Sequence, residues 1–422
     1  MPHRGRAARL RPRHYCVQAR LRRAISAFTR VFDALWRLHF IAEVPPTRGL
    51  ANHVNGSSTG GDKVSFMGHS SRVTRQVAAL AGALALSSAL SLAVLLGAEG
   101  SIFGASEFGL HGLRQHYRRP AEIPYPKDDP YSRAKYELGR TLFFDPILSG
   151  AKLRSCSTCH NPGLSWADGQ PRAIGENQQP LASGLRTPTL LNVAWTPKLG
   201  WDGHFRDLEG VAISPITAPD NMNLPESTLI ERLAAIPGYV NAFNAAFGKG
   251  DIDRHKIEQA LATFERSIVS DEAPFDRWIR GDEAAIDASA KRGFALFNGK
   301  GNCAACHSGW AFTDGSFHDI GVAHDNDIGR GRLFPTSVKL QYAFKTPTLR
   351  DVARRRPYMH DGSLATLGDV IDLYNRGGIE RPSRDDEIHQ LNLPQGDKAD
   401  LIAFLQALSA KAKPFVLPDL PR

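Results

Sequence analysis

The chain has 422 residues, of which 42% are hydrophobic and 23% are charged, a balance typical of a globular protein with room for two or three domains. Its formal net charge is +9, but eleven arginines and one lysine against three acidic residues place the whole excess within residues 1–66. The remaining chain is close to neutral, which excludes a broadly basic surface for nucleic acid.

The first hundred residues predict a basic tail followed by an export segment. Residues 1–66 are Arg-rich and low in complexity, and we interpret them as a mis-called start with Met67 as the true one; a genuine basic tail is the alternative. Within residues 67–98, a short basic stretch precedes the apolar run from Val77 to Ala98. This is the layout of a secretory signal or of an uncleaved inner-membrane anchor, and both predict a periplasmic protein.

Residues 99–130 are Pro-rich and predict an extended segment, after which the chain repeats itself. Cys-x-x-Cys-His occurs at 156–160 and again at 303–307. Thr-Pro-Thr begins at Thr187 and at Thr346, which are 159 positions apart, and the Asp-Gly pairs at 202 and 361 have the same separation.

Both halves of the repeat predict helices. The segments 255–270 and 398–410 close the two halves, and their apolar residues recur every three or four positions. No long alternating pattern predicts a strand. We therefore expect two homologous, mainly α-helical domains at 131–275 and 285–415, joined by a linker.

The repeated pentapeptide has the spacing that covalent haem attachment requires. Two thiols three positions apart reach both vinyl groups of one haem, and the histidine that follows lies beneath the iron. The alternatives are a redox-active thiol pair, half of a zinc site, or a disulfide. Two copies in a duplicated, exported protein favour haem, with Cys156, Cys159 and His160 holding the first and Cys303, Cys306 and His307 the second.

The second axial position of each iron decides its chemistry, since an open position admits peroxide whereas a strong ligand makes an electron carrier. In the second half, Tyr374 lies on a predicted helix that aims its phenol at the iron; a half-buried aromatic is the alternative. The corresponding stretch of the first half offers Met222 but neither histidine nor tyrosine. The sequence therefore predicts an unequal pair, with the first haem open.

From about residue 130 to 415, the chain resembles the bacterial di-haem cytochrome c peroxidase family, in its MauG-like branch. The resemblance rests on the two haem motifs and on these stretches in family order: "LFFDPILS", "RTPTLLN", "WDG", "TPTLRDV", "YMHDGSLATL" and "LYNRGG". It implies two tandem class I cytochrome c-like domains, each with one covalently bound c-type haem. The first is the peroxidatic domain and the second the electron-transfer domain.

The resemblance also implies roles for single residues. Trp201 matches the tryptophan that relays electrons between the haems, although plain core packing is the alternative, and Tyr374 matches the second ligand of the second haem. The family's catalytic glutamate is matched by Asn221, which cannot act as a base, so Glu209 is a substitute candidate. Glu176 stands where related peroxidases have a capping histidine, which again favours an open first haem.

The family binds a calcium ion between its domains, and the matching positions are Thr187, Arg355 and Pro357. The arginines at 354–356 are alternatively partners for haem propionates.

The expected activity is a periplasmic peroxidase or MauG-like oxidoreductase that uses hydrogen peroxide at the open first haem. Electrons pass through the second haem from a small donor protein, such as a cytochrome c or cupredoxin, or from another substrate. A homodimer is common in the family. A non-catalytic di-haem electron-transfer cytochrome is the alternative, and a haem-based sensor is a third hypothesis.

Overall fold

The computed structural model describes residues 112–421. This part of the chain consists of short and medium α-helices, 3-10 turns and long loops. Its one sheet has two antiparallel strands, β1 (Phe317–His318) and β2 (Phe344–Lys345), with Phe317 opposite Lys345. The prediction of a helical chain without long strands agrees with this, although the helical content is modest.

Of the α-helices in the described residues, seven lie in the first half and four in the second. The first half contains α1 (Arg133–Phe144), α2 (Cys156–Cys159), α3 (Leu208–Ala212), α4 (Ser214–Thr217), α5 (Glu226–Ala234), α6 (Pro237–Phe247) and α7 (Arg254–Arg266). The second half contains α8 (Pro274–Ile279), α9 (Ala288–Asn298), α10 (Leu367–Arg376) and α11 (Gln395–Ala407). The 3-10 turns are Pro146–Leu148, Pro162–Leu164, Val193–Trp195, Cys303–Ala305, Arg330–Arg332, Val338–Leu340 and Val352–Arg354.

Side-chain caps fix where the principal helices begin. Ser132 and Asp253 accept hydrogen bonds from backbone amides in the first turns of α1 and α7, and Asp287 does so for α9. Thr366 and Asp369 form a reciprocal capping box at the start of α10, which ends at Gly377 in the left-handed region (φ 84°). These caps set the position of α10 and hence of Tyr374.

A glycine allows the first and last helices of each half to cross closely. A Cβ atom on Gly139 of α1 would lie 1.8 Å from the carbonyl oxygen of Ala260 in α7. A Cβ on Gly293 of α9 would lie 2.0 Å from the carbonyl oxygen of Asp400 in α11. The same close approach in both halves shows that the sequence repeat is also a structural one.

Each pair of crossing helices packs within its own apolar core. The first core contains Leu138, Phe143 and Phe264 among its fully or nearly fully buried residues. The second contains Phe297 and Phe404 in equivalent places. Burying aromatic side chains of this size provides much of the stabilisation of each half.

The described ends of the chain each pack on the opposite half. Tyr117 is buried in the second core, and its hydroxyl donates to Asn298 Oδ1 at 2.7 Å. Phe415 stacks on Phe144 of the first half, with ring centroids 5.1 Å apart, and touches Trp166 edge-on. The two cores are therefore tied together by both ends.

The segment between the predicted domains is not an exposed linker. It forms α8, and Phe275 and Trp278 of this helix are buried in the second core. The stretch predicted to join the two domains therefore contains an ordered helix, whose apolar face is obscured in the sequence by the charged residues around it.

The predicted tail at 1–66 and the signal or anchor at 67–98 lie outside the described residues. No helix among residues 112–421 is long and apolar enough to cross a membrane.

Candidate functional site

The second Cys-x-x-Cys-His motif folds into a tight turn that presents its histidine. Cys303 begins a 3-10 turn after Asn302, whose backbone is left-handed (φ 51°). His307 is bonded through Nδ1 to the carbonyl oxygen of Phe312 at 2.9 Å. Burial lowers the pKa of His307, which favours the neutral form of the ring that binds metals.

These residues line a cavity of about 380 Å³. Its wall includes Cys303, Cys306 and His307 together with Tyr374 of α10 and Leu405 of α11. The lining is mainly apolar and carries two thiols and one neutral imidazole, which is the donor set of a covalently attached haem. The residues therefore fit the cofactor that the sequence predicted.

Tyr374 shares this cavity with the second motif. Burial, followed by the nearness of Cys306 and Cys303, raises the pKa of Tyr374, which keeps the free phenol neutral. A bound cation would reverse this preference and stabilise the phenolate. The structure thus brings together four residues that the sequence assigned to one haem.

The first motif repeats this arrangement. The helix α2 begins at Cys156 and ends at Cys159, and His160 is the residue that follows it. His160 Nδ1 is 3.3 Å from the carbonyl oxygen of Trp166, and burial lowers the pKa of His160. Both histidines are therefore oriented by a backbone carbonyl, as metal-binding histidines usually are.

The Thr-Pro-Thr repeats support the loops that follow the two motifs. Thr187 donates through its hydroxyl to Asp168 Oδ2 at 2.6 Å, and Thr189 donates to the carbonyl oxygen of Ser165 at 2.7 Å. In the second half, Thr348 donates to the carbonyl oxygen of Ala311 at 2.6 Å. The sequence revealed this repeat, but the hydrogen bonds that explain it required the fold.

Trp201 lies where the two halves meet. Its backbone carbonyl accepts from the amide of Lys345 at 2.7 Å, and the equivalent carbonyl of His360 accepts from the amide of Arg186 at 2.9 Å. Trp201 Nε1 also donates to the carbonyl oxygen of Arg186 at 2.8 Å. The rings of Trp201 and His360 are 6.5 Å apart, and both residues line the cavity.

Two alternatives to haem attachment find no support in the described residues. The four motif cysteines are free thiols, so neither pair forms a disulfide. In the described part of the chain, the one cluster with metal-ligand spacing is Cys306, Asp314 and His318, and it includes no second thiol. A zinc site of the kind that uses paired cysteines is therefore not formed.

The proposed calcium positions have other partners. The Thr187 hydroxyl is committed to Asp168, and the carbonyl oxygen of Arg355 accepts from the guanidinium of Arg186 at 3.1 Å. Pro357 follows a cis peptide bond with Arg356. Two buried guanidinium groups beside these oxygens do not suit a divalent cation, which prefers a cage of anionic or neutral oxygen ligands.

Of the residues expected above the first haem, two are neighbours and the third is held in an ion pair. The carbonyl oxygen of Asn221 accepts from the amide of Glu176 at 2.7 Å, so these two predicted positions are neighbours. Glu209 instead accepts from the Arg266 guanidinium, with Oε2 and Nη2 2.9 Å apart. This ion pair makes Glu209 a poor candidate for a free base.

Sequence reasoning missed two ionisable residues near the motifs. His318 lies between Asp314 and Asp385, which its ring nitrogens contact at 2.9 Å and 2.6 Å. Burial opposes its charge, but Asp314, Cys306 and Asp385 together raise the pKa of His318 to about 11. Glu265 is a buried carboxyl beside the first motif. Neither residue belongs to a motif, and their neighbours come from distant parts of the chain.

Two covalent-attachment motifs, each with a buried and oriented histidine, are typical of di-haem c-type oxidoreductases. The family model described as di-haem cytochrome c peroxidase matches residues 133–284. The methylamine utilization protein MauG of Methylorubrum extorquens is 50% identical over 327 residues, 77% of this chain and 92% of that protein. MauG of Methylophilus methylotrophus is 46% identical over 73% of this chain and 92% of that protein.

More distant relatives agree. The cytochrome c551 peroxidase of Nitrosomonas europaea is 32% identical over 68% of this chain and 83% of that protein. The crystal structure of a MauG-like protein associated with microbial copper homeostasis superposes with a TM-score of 0.64 at 28% identity, covering 69% of this chain and 94% of that one. The chain belongs to the di-haem cytochrome c peroxidase family, and it is a peroxidase-type oxidoreductase.

Proposed function

We infer that this protein is a periplasmic, MauG-like enzyme in which peroxide reacts at the first haem and the second haem relays electrons. Two tandem cytochrome c-like domains hold one c-type haem each. The residues that hold the first are Cys156, Cys159 and His160, and those that hold the second are Cys303, Cys306, His307 and Tyr374. When bound, these haems supply the redox-active iron at which peroxide is reduced.

The observation that carries this proposal is the difference between the two axial sides. Thr366 caps α10 and Asp207 caps α3, and these residues are 159 positions apart, like the other repeated residues. The same spacing places Pro215 where the second half has Tyr374. A proline ring has no lone pair to offer to iron, so the first site stays open while the second is closed by a phenol.

Pro215 also explains why the helix differs. The first half forms α3, which ends at Ala212, and the separate short α4, whose first turn contains Pro215. The second half instead has the continuous α10 with its ten residues. The continuous helix is what delivers Tyr374 to the cavity.

Trp201 is the proposed electron relay. It lies at the junction of the halves, its indole nitrogen is bonded to the carbonyl oxygen of Arg186, and it lines the cavity of the second motif. Its fixed orientation suits repeated electron transfer because no side-chain rearrangement is needed.

Asn221 and Glu209 do not supply a carboxylate base in this proposal. The Asn221 amide donates or accepts a hydrogen bond to orient peroxide, but it does not exchange protons at neutral pH. Glu209 is held by Arg266. Peroxide reduction is therefore expected to be slower here than in relatives with a free carboxylate.

Arg186 and Arg355 are proposed to bind haem propionates rather than to flank calcium. Both line the cavity, and the Nε atom of each is buried with no hydrogen-bond partner in the described part of the chain. Burial lowers the pKa of Arg355 to about 10, which leaves the guanidinium charged. Carboxylates are its natural partners, and we derive no step from a calcium ion.

The physiological role is proposed from the relatives. Two proteins named for methylamine utilization are 50% and 46% identical over most of their length. We therefore place this enzyme in methylamine utilization, with a protein or organic electron donor as its reducing partner. The test is deletion of the gene. The deletion strain is expected to lose growth on methylamine and to retain growth on ammonium.

The direct test of the activity is stopped-flow absorption of the fully oxidised holoprotein mixed with hydrogen peroxide. An open first site predicts a rapid spectral change without prior reduction. Two peroxide-inert haems would contradict the proposal and favour an electron-transfer cytochrome. Ligand binding with no turnover of any electron donor would contradict it in favour of a sensor.

A further inference from the structure

Glu265 is a buried carboxyl group that the proposed chemistry has not used. It lies near the end of α7, only 7% of it is exposed, and its Oε2 atom has no hydrogen-bond partner among residues 112–421. Glutamates are rarely buried to this extent without a partner, because the ionised form loses its hydration. A group that bears this cost is a candidate for a role in the site.

The internal repeat places Glu265 at the wall of the first haem site. The close helix crossings pair Gly139 with Phe264 and Gly293 with Phe404, so that Phe264 and Phe404 are equivalent. The next residue is Glu265 in the first half and Leu405 in the second. Leu405 lines the cavity of the second motif. The first half therefore has a carboxyl group where the second half has an apolar wall.

The surroundings of Cys156 support this placement. Burial raises the pKa of the Cys156 thiol, and the charge of Glu265 is the next largest cause. The carboxyl is thus close to one of the two attachment points of the first haem. The position follows from the burial of Glu265 and from the repeat, and the electrostatic contact agrees with it.

No nearby cation neutralises Glu265. Arg266 is the adjacent residue, but its guanidinium donates to Glu209 of α3 at 2.9 Å. Burial raises the pKa of Glu265 to about 8, while Arg266 lowers it and Glu209 raises it. Around pH 8, where the carboxyl titrates, a modest change in local charge is enough to release or bind its proton.

We propose that Glu265 is the proton-holding residue of the first haem, binding one proton when that haem gains one electron from its donor. The proton comes from water and returns to water when the electron is withdrawn, so that each cycle moves one electron and one proton. An added electron makes the site more negative, and this strengthens proton binding by the nearby carboxyl. The proposal rests on the assignment of a haem to Cys156, Cys159 and His160.

The test is a redox titration of the holoprotein without peroxide, between about pH 6 and pH 10. The midpoint potential of the first haem is expected to stay nearly constant at the acid end of this range, where Glu265 already holds its proton, and to fall as the pH rises beyond about 8, by up to about 59 mV for each tenfold drop in proton concentration. In the Glu265→Gln variant it is expected to be independent of pH over this window. Glu265→Asp should restore the dependence.

Two variants control for structural effects. Glu258→Gln changes another buried glutamate of α7, one that is hydrogen-bonded to Arg254. This variant should keep the wild-type slope of midpoint potential against pH. Glu265→Leu copies the residue of the second half, so it should load haem normally and lose the slope. If Glu265→Gln does not load haem, Glu265→Leu decides the question.

A slope that persists without the carboxyl would overturn the proposal, and so would a wild-type potential that does not change with pH. Infrared difference spectroscopy gives a second readout, because the protonated carboxyl band of Glu265 should disappear in Glu265→Gln. Neither measurement involves peroxide. Failure of this proposal is therefore distinguishable from failure of the proposed peroxidase activity.

Discussion

A few side chains make the two halves of this repeated chain chemically different. Tyr374 and Pro215 occupy equivalent places, and only the first of them can bind iron. Glu265 and Leu405 differ in the same way, since only Glu265 can hold a proton. These two exchanges assign ligand closure to the second site and proton exchange to the first.

The role of Tyr374 is tested by Tyr374→Met. A phenolate stabilises ferric iron, whereas a thioether favours ferrous iron, so the midpoint potential of the second haem should rise markedly. Redox titration followed by visible absorption measures this change. Tyr342→Phe is the matched control. Tyr342 lines the same cavity, and its hydroxyl donates a long hydrogen bond of 3.5 Å to the backbone carbonyl oxygen of Asp325. An unchanged potential in Tyr374→Met would remove Tyr374 as a ligand.

The sequence predicted the residues whose chemistry depends on local spacing. The cysteines and histidines of both motifs were found because thioether attachment requires them within five positions, and Tyr374 was found because it lies on a regular helix. Glu265 and His318 were missed, since their burial and their partners depend on chain segments far away. The contacts of Thr187 and Arg355 were missed for the same reason.

At the scale of elements, helical periodicity predicted the helices that cover the cores. The segment 255–270 corresponds to α7 (Arg254–Arg266), and 398–410 corresponds to α11 (Gln395–Ala407). Both were expected to end three or four residues too late, because the apolar pattern continues past the last helical turn. The helix α8 within the predicted linker was not expected, because six residues are too few to show a periodic pattern.

The close crossing of α9 and α11 is tested by Gly293→Ala. The added Cβ would meet the carbonyl oxygen of Asp400 at 2.0 Å, so the helices must separate and the free energy of unfolding should fall by about 1–3 kcal/mol or more. Thermal or urea unfolding measures this loss. Gly396→Ala on α11 is the control, because nothing lies within 4 Å of its added Cβ, and it should be neutral or slightly stabilising. Equal stability of the two variants would contradict the crossing.

At the scale of the whole molecule, the two halves are joined by reciprocal contacts. Lys345 donates to the carbonyl oxygen of Trp201, and Arg186 donates to that of His360, which are equivalent bonds in opposite directions. The two ends of the described part, residues 112–421, also cross, with Tyr117 in the second core and Phe415 on the first half. The sequence revealed the repeat, but it did not predict this exchange, because pairing between the halves leaves no periodic signal.

Such a joint brings residues of the first half to the second Cys-x-x-Cys-His motif. The cavity of the second motif extends to Trp201 and Arg186 of the first half. We propose that electron exchange between two unequal sites is the property that the overall arrangement serves.

Electron paramagnetic resonance of the fully oxidised holoprotein tests that claim most directly. The account predicts two ferric haems in equal amounts, one high-spin signal from the open first site and one low-spin signal from the site closed by His307 and Tyr374. Tyr374→Phe should convert the low-spin signal of the second site to a high-spin signal and leave the signal of the first site unchanged. Two low-spin signals in the wild-type protein, or fewer than two haems per chain, would contradict the account.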